Sequence, residues 1–232
     1  MTGYEYIKEN LKRIEDELAE AAAAAGRPAP TLIAVTKSAS DEEVLALAEA
    51  GVVNVGENRT SMLTARKALL EGAGFSPRMH LIGSLQTNKA KEIVGKTALI
   101  HSLDRPSLAA TLERLADRNG ILIDTLAEIN IGREEAKGGL LVEDAEAFCR
   151  SLAEYPHLRL RGLMTMAPAG SSSEEYTEYF SAVRELAERL AAEGLFFGED
   201  APLLSMGMSG SYREAAAAGA SFVRVGRTLF AH

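Results

Sequence analysis

The chain has 232 residues, of which 47% are hydrophobic and 25% are charged, and its formal net charge is -8. No apolar run reaches the length of a membrane span, and the acidic balance disfavours nucleic acid as a partner, because binding to nucleic acid depends on neutralising phosphates. The lone cysteine, Cys149, cannot form an intrachain disulfide, so we expect a cytoplasmic protein with no membrane and no nucleic acid among its partners.

The first predicted element is a helix within residues 1–26, whose apolar residues recur at helical spacing and which ends at Gly26. Eight short apolar runs rich in β-branched residues follow it, separated by amphipathic segments. Two of those segments start with the spacing of a capping box, Ser40 with Glu43 and Ser172 with Glu175. The predicted strands are Leu32–Val35, Val52–Val55, Met79–Ile82, Ala98–Ile100, Leu122–Ile131, Leu160–Met164, Leu203–Ser205 and Phe222–Val225.

This alternation predicts the fold class. A strand followed by a helix, eight times, is typical of parallel βαβ units and favours an α/β fold with a single (β/α)8 barrel. An open doubly wound sheet remains an alternative, because periodicity does not show whether a sheet closes. No repeat, charge block or linker divides the chain, so we predict one domain over residues 1–232. Functional groups of such a barrel lie at the C-terminal ends of its strands.

A lysine follows the first predicted strand. Alternation places Lys37 on the same face as Ile33 and Val35, so we expect its side chain to be partly desolvated at the rim of the barrel. Desolvation turns a lysine into an amine nucleophile that can form a Schiff base with an aldehyde. The alternative is a lysine that simply extends its ammonium group into solvent.

The segments after the last two strands, residues 205–209 and 224–228, both contain glycine and hydroxyl residues. In a barrel these two loops form the usual phosphate site, although Gly207 and Gly226 could be turn residues only. Arg224 lies within the eighth strand, where its charge requires a partner. That partner is either a salt bridge to a neighbouring strand or a group at the barrel mouth.

Other chemistry has little support in the sequence. The four histidines, His80, His101, His157 and His232, do not show the spacing typical of metal ligands. With one cysteine in the chain, the sequence predicts no metal site. The glycine-rich nucleotide motifs and the motifs of serine hydrolases and zinc proteases are also missing from the sequence.

Six segments, taken together and in this order, resemble the pyridoxal phosphate homeostasis proteins of the YggS/PROSC family. They cover nearly the whole chain, and their combination is specific, whereas any one of them would be weak. The segments are Thr31–Ser38 (TLIAVTKS), Asn54–Asn58 (NVGEN), His80–Lys89 (HLIGSLQTNK), Arg161–Pro168 (RGLMTMAP), Leu204–Ser209 (LSMGMS) and Val223–Phe230 (VRVGRTLF).

The resemblance implies a barrel similar to the N-terminal domain of bacterial alanine racemase, with pyridoxal 5′-phosphate (PLP) held as an internal aldimine on Lys37. It also implies that Arg224 faces the pyridine nitrogen of the cofactor. Asn58 and Met164 then line the pocket of the ring. The residues implied at the phosphate are Ser205, Ser209, Gly226, Arg227 and Thr228.

Three positions depart from the family pattern. Arg227 stands where a small hydroxyl residue is usual, so its contact to phosphate is made either by the guanidinium or by the backbone N–H alone. Ser211 stands where an acidic residue is common, and the last residues, 230–232, differ from the usual glycine-containing tail. None of these differences touches Lys37.

The chemistry of these residues favours binding over catalysis. An arginine only donates hydrogen bonds, which leaves the pyridine nitrogen unprotonated and the ring a weak electron sink. Racemisation needs two acid/base groups, and we expect this chain to lack the domain that supplies the second in alanine racemases. The sequence therefore predicts a monomeric, non-catalytic protein that holds PLP on Lys37 and supplies it to apo-enzymes. The alternatives are a low-activity amino-acid racemase or lyase using Tyr212, and a phosphosugar enzyme with a Schiff base at Lys37.

Overall fold

Eight parallel strands pair in chain order and close into a barrel. The structure is a computed structural model that describes residues 3–134, 136–198 and 200–232. The first strand pairs with the second and also with the eighth, where Ile33 lies opposite Arg224. The predicted fold class is therefore confirmed, and the open sheet is excluded. The strands are β1 (Thr31–Val35), β2 (Asn54–Glu57), β3 (Arg78–Leu81), β4 (Leu99–Leu103), β5 (Ile123–Ile129), β6 (Leu158–Thr165), β7 (Leu203–Ser205) and β8 (Phe222–Val225).

Seven α-helices of the described chain surround the barrel, and two of them begin at the predicted capping boxes. At Ser40 and at Ser172 the side chain accepts from the backbone N–H three residues on, and the glutamate there accepts from the cap N–H. Two short segments, Thr87–Glu92 and Leu152–Glu154, are 3₁₀ helices. The α-helices are α1 (Glu5–Ala24), α2 (Asp41–Glu49), α3 (Thr60–Gly72), α4 (Pro106–Asn119), α5 (Val142–Ser151), α6 (Ser173–Ala192) and α7 (Tyr212–Ala218).

The helix α1 takes the outer position that a helix after β8 would occupy. It packs between α7 and α2 and buries its predicted apolar stripe, which includes Ile7, Leu11, Ile14 and Leu18. The expectation of one helix after every strand is wrong at two places. A 3₁₀ helix follows β3, and in residues 226–232 no helix follows β8. Because α1 already covers the barrel there, a further helix would have no apolar surface to pack on.

The first six strands differ from their predicted bounds, and the second and fourth show the clearest differences. The second begins at Asn54 rather than Val52, because Val53 is exposed in the connection after α2. The fourth runs on past Ile100 through His101 and Ser102, both of them fully buried. Polar residues end an apolar run in a sequence, but inside this barrel they have hydrogen-bond partners. Within the described ranges no helix is both long and apolar enough to cross a membrane.

Candidate functional site

Lys37 lies on the turn that follows β1 at the C-terminal end of the barrel. Thr36 N–H donates to the Gly56 carbonyl at 3.2 Å, and Ala39 N–H donates back to the Thr36 carbonyl at 3.0 Å, which closes the turn. The Lys37 side chain is exposed, so the expected partial desolvation is wrong in this structure. The strand ends at Val35, and Lys37 therefore projects from a turn instead of continuing the buried face.

A buried carboxyl group lies beneath this turn. Glu57 is fully buried, and its Oε1 accepts from the Thr36 hydroxyl at 2.5 Å, with Arg66 Nε 3.8 Å away. Burial raises the pKa of Glu57, while the Thr36 hydrogen bond and the charges of Arg66 and Lys37 oppose the shift. Arg66 also pairs with Asp41 and with the Ala39 carbonyl. Glu57 thus ties the lysine turn to the barrel and adds a titratable group beside it.

Arg224 is almost fully buried inside the barrel at β8. Its Nη1 donates to Ser205 Oγ at 2.5 Å and its Nη2 to the Thr165 carbonyl at 2.8 Å. Burial lowers the pKa of Arg224 to about 10, partly offset by the charge of Glu128, so the guanidinium stays protonated at neutral pH. Among the described residues no carboxylate pairs with it directly, so the expected alternative of a salt bridge does not form.

Ser205 does not join the loops to which the sequence assigned it. It is fully buried, and its Oγ lies 2.5 Å from Arg224 Nη1 and 2.8 Å from His101 Nδ1. Its hydroxyl is therefore occupied inside the barrel, below the loop that follows β7. That Ser205 contacts phosphate stays a prediction, and in this structure its hydroxyl has Arg224 and His101 as partners instead.

The contacts of Ser205 extend into a polar network through the barrel interior. His101 Nε2 lies 3.0 Å from His80 Nδ1, and His80 Nε2 lies 3.1 Å from Asn54 Oδ1. Burial lowers the pKa of His80 to about 4 and that of His101 well below its usual value, so both imidazoles are neutral at neutral pH. The interior network consists of Asn54, His80, His101, Ser205 and Arg224.

Glu128, near the end of β5, is a second acidic group that the sequence reasoning missed. It is 5% exposed, and burial together with the charge of Asp104 raises its pKa to about 7, against the opposing charges of Arg224 and Arg105. A glutamate inside the apolar segment 126–129 was the available signal. Glu128 is thus a buried carboxyl group that can gain or lose a proton near neutral pH, in the electrostatic field of Arg224.

The loops after β7 and β8 meet at the mouth. Thr228 N–H donates to Ser209 Oγ at 3.4 Å, and the Thr228 hydroxyl donates to the Ser209 carbonyl at 3.5 Å. Gly207 has φ +87°, and a Cβ there would lie 2.4 Å from that of Ala215, so the position requires glycine. A Cβ on Gly226 would lie 3.0 Å from the Val35 carbonyl oxygen, so this loop also adjoins the end of β1.

These two loops contain backbone donors suited to an anion. The N–H groups of Ser209, Gly210 and Arg227 donate to no other group in the described part of the chain. The Arg227 side chain is exposed. Ser211, the second departure from the family pattern, is buried and accepts from Met208 N–H at 3.2 Å, so it stabilises the loop locally.

The remaining predicted residues lie at different depths. Asn58 is exposed after β2, and its backbone packs against Gly83, where a Cβ would lie 2.4 Å from the Asn58 carbonyl oxygen. Met164 is fully buried in the barrel beside Leu99 and Leu126. Tyr212 is directed elsewhere, because its hydroxyl donates to Glu17 of α1. The structure therefore does not place the Tyr212 hydroxyl at the mouth, as the racemase alternative requires.

Metal chemistry has no support in this geometry. Across residues 3–134, 136–198 and 200–232, no group of three or more histidine, cysteine or acidic side chains could hold a metal ion. His80 and His101 contact each other, but their other ring nitrogens face an amide and a hydroxyl. The chemistry of the mouth is that of an amine, a guanidinium and loop donors.

Comparisons with known proteins find relatives over nearly the full length. The profile of the family described as "Alanine racemase, N-terminal domain" matches residues 10–232. The protein named "Pyridoxal phosphate homeostasis protein" from Aquifex aeolicus (strain VF5) is 36% identical over 224 residues, which is 96% of this chain and 96% of that protein.

Solved structures agree with this result. PipY of Synechococcus elongatus PCC7942, in its structure with PLP bound, has a TM-score of 0.84 and 30% identity, covering 97% of this chain and 100% of that chain. Its structure without PLP has a TM-score of 0.86 at the same identity. An alanine racemase of Clostridium difficile 630 has the same fold, with a TM-score of 0.75 at 15% identity over 98% of this chain and 56% of that chain.

Proposed function

The chain belongs to the pyridoxal phosphate homeostasis protein family, and we propose on that basis that it binds PLP at the mouth of its barrel. PipY, whose structure contains bound PLP, supports the proposal directly. The observation in this structure that carries it is the proximity of the lysine turn to the anion-binding loops, since Gly226 lies against Val35. An amine and phosphate donors thereby flank one opening.

The side chains present fit the chemical groups of PLP. Ser209 and Thr228 supply hydroxyl groups, and the free N–H groups of Gly210 and Arg227 supply backbone donors, which together suit a phosphate. Gly207 and Gly226 shape these loops, because a Cβ would lie 2.4 Å from that of Ala215 at the first position and 3.0 Å from the Val35 carbonyl oxygen at the second. Arg227 adds charge, and its exposed side chain can fold over the phosphate or leave the contact to its N–H.

Lys37 is the residue we assign to covalent attachment. As the neutral amine, its Nζ would attack the aldehyde carbon; a carbon–nitrogen double bond would form, and the aldehyde oxygen would leave as water together with the two hydrogens of the nitrogen. Because the side chain lies exposed on a turn, water can reach this linkage and reverse it. Reversible attachment is what a protein needs in order to limit free PLP and supply it to apo-enzymes.

The arrangement favours holding PLP over catalysis. The cofactor supplies an electron sink that is strong when its ring nitrogen is protonated. Arg224 stays protonated and can only donate, so it disfavours a proton on that nitrogen. The Tyr212 hydroxyl is bound to Glu17 and does not supply a second acid/base group.

One observation keeps a weak catalytic activity as a second candidate. The pKa of Glu128 is raised to about 7 by burial, so this carboxyl could exchange a proton near neutral pH. A racemase that used it would lose its activity in Glu128→Gln. A chiral assay of amino-acid racemisation that shows turnover above that of free PLP, abolished by Glu128→Gln, would favour this function.

Borohydride reduction tests the assignment of Lys37. The protein is incubated with PLP, reduced, digested and mapped by mass spectrometry, and we expect the label on Lys37. Lys37→Ala should lose the label and the visible absorption of bound PLP. Lys12→Ala, which removes an exposed lysine of α1, is the matched control and should keep both. A label on other lysines alone would refute the assignment.

The visible absorption and the borohydride labelling also test the alternative function, a phosphosugar enzyme with a Schiff base at Lys37. We expect the visible band to appear with PLP and to depend on Lys37. If PLP leaves the protein unlabelled and borohydride instead traps a phosphorylated sugar on Lys37, the protein is a phosphosugar enzyme.

A further inference from the structure

The interior network connects Arg224 with the opposite side of the barrel. Its members come from five strands, with Asn54 on β2, His80 on β3, His101 on β4, Ser205 on β7 and Arg224 on β8. Four of them are at most 3% exposed, and Asn54 is half-buried at the wall of a cavity of about 320 Å³ that is also lined by α1. Hydrogen bonds of 2.5 to 3.1 Å join each neighbour to the next.

The chemistry of the end groups fixes the direction of these hydrogen bonds. Arg224 can only donate, so Ser205 Oγ accepts. The single hydroxyl hydrogen of Ser205 is then available for His101 Nδ1, which must accept it. A neutral His101 with an accepting Nδ1 carries its hydrogen on Nε2.

The same reasoning continues to the other end. His101 Nε2–H donates to His80 Nδ1, and His80 then carries its own hydrogen on Nε2. That hydrogen is donated to Asn54 Oδ1, which can only accept. The opposite direction would leave the Ser205 hydrogen without an acceptor, and it would require the Asn54 amide to turn so that Nδ2 faces His80 Nε2. One direction therefore satisfies every link.

From this network we infer that Ser205 and His101 are positioning residues, which hold the Arg224 guanidinium in the orientation that presents its remaining N–H groups to the bound cofactor. His80 and Asn54 fix the tautomer of His101 and do not contact Arg224 themselves. The part of this inference that concerns the cofactor rests on the proposed function. The direction of the hydrogen bonds in the network is independent of the proposed function.

Electrostatics explain why neutral groups suit this task. A carboxylate paired with Arg224 would engage the guanidinium on two nitrogens and neutralise its charge. The network instead contacts Arg224 with a hydroxyl oxygen and the Thr165 carbonyl, both neutral acceptors. The charge is stabilised by dipoles and remains available to a ring nitrogen that accepts a hydrogen bond.

The first experiment needs neither a variant nor added ligand. In protein labelled with nitrogen-15 at histidine, two-bond nitrogen–proton correlation spectra report the tautomer of each ring. We expect His80 and His101 to be neutral with the hydrogen on Nε2 in both. A hydrogen on Nδ1 of His101 would overturn the direction of the network whether or not PLP binds.

The second experiment removes the link between His101 and Arg224. Ser205→Ala should change the absorption maximum of bound PLP and weaken its binding about tenfold, because a buried N–H of Arg224 loses its acceptor. His101 should also lose its preference for the Nε2 tautomer. A third measurement uses the PLP analogue that has carbon in place of the ring nitrogen. Wild type should bind this analogue more weakly than PLP, and the difference between the two affinities should be smaller in Ser205→Ala.

A matched control separates positioning from loss of stability. Ser102→Ala removes another fully buried hydroxyl, which donates to the Gly83 carbonyl at 2.7 Å outside the network. It should lower the melting temperature by a similar amount and leave the spectrum and the discrimination unchanged. Equal effects of the two variants, or an unchanged spectrum in Ser205→Ala, would refute the positioning role. Failure of wild type to bind PLP would refute the proposed function and leave the tautomer result standing.

Discussion

At the scale of single residues, the site depends on buried ionisable groups with few hydrogen-bond partners. Arg224 stays protonated inside the barrel on a hydroxyl and a carbonyl, and Glu128 lies near it with a pKa raised to about 7. Glu57 has one carboxylate oxygen hydrogen-bonded to Thr36 and no partner for the other among the described residues. Burial of such groups reduces stability, so their presence points to a functional requirement.

Glu128 gives a pH-dependent prediction. The folded protein keeps a proton on this carboxyl up to pH about 7, whereas the unfolded chain loses it near 4.5. Stability due to this group is therefore present at low pH and lost as pH rises between these values, by about 3 kcal/mol. Glu128→Gln should be more stable than wild type at about pH 8 and lose most of that advantage at about pH 5.

Chemical denaturation of both proteins at the two pH values measures the effect. Glu178→Gln, an exposed glutamate on α6, serves as the control and should follow wild type at both. A Glu128→Gln advantage that is the same at both pH values would contradict the assigned pKa.

The sequence identified part of this site and missed another part for a physical reason. Lys37, Ser209 and Thr228 follow strands directly, so motif and strand order predict where they lie. His80 and His101 interrupt apolar runs, and their role depends on partners that lie on other strands. No local pattern shows that Ser205 contacts His101, because the two residues are 104 positions apart.

At the scale of elements, α1 is the part of the fold that a count of βα units leaves out. It precedes β1 but packs beside α7 and α2, and so completes the outer layer. Its amphipathic stripe and its end shortly before Gly26 were predictable, because both are local signals. Its place beside α7 was not, since the Tyr212–Glu17 contact joins residues 195 positions apart.

Replacement of a buried residue of α1 tests how much this packing contributes. Ile14 is fully buried, so Ile14→Ala should reduce the free energy of unfolding by about 2–5 kcal/mol through lost burial and a residual cavity. Thermal and denaturant unfolding measure it, with exposed Lys12→Ala as the control on the same helix. A loss below about 1 kcal/mol would mean that α1 adds little to the barrel.

At the scale of the whole molecule, the buried histidines should lower stability on the acid side, in opposition to the contribution of Glu128. The pKa of His80 is lowered by burial to about 4, while the unfolded value is near 6.5. Between these values the unfolded chain binds the additional proton, so stability falls as pH decreases, by about 3 kcal/mol for this residue. His101 shifts in the same direction.

A pH titration of the unfolding free energy tests this prediction. His80→Gln should show a shallower decline between pH 6.5 and about 4 than wild type. His232→Gln, which alters an exposed histidine packed on Tyr6, should leave the slope unchanged. Parallel curves for wild type and His80→Gln would show that protonation of His80 does not reduce the free energy of unfolding, which would contradict the prediction.

The position of α1 also has a consequence for the order in which the molecule can assemble. Asn10 donates to the Leu229 and Ala231 carbonyls at 3.2 and 2.8 Å, so the first helix contacts the last residues as well as α7. During synthesis on the ribosome, the apolar stripe of α1 emerges first, α2 soon after it, and its largest contact partner, α7, among the last. Until residues 212–232 have left the exit tunnel, the barrel cannot close and that stripe is covered only in part.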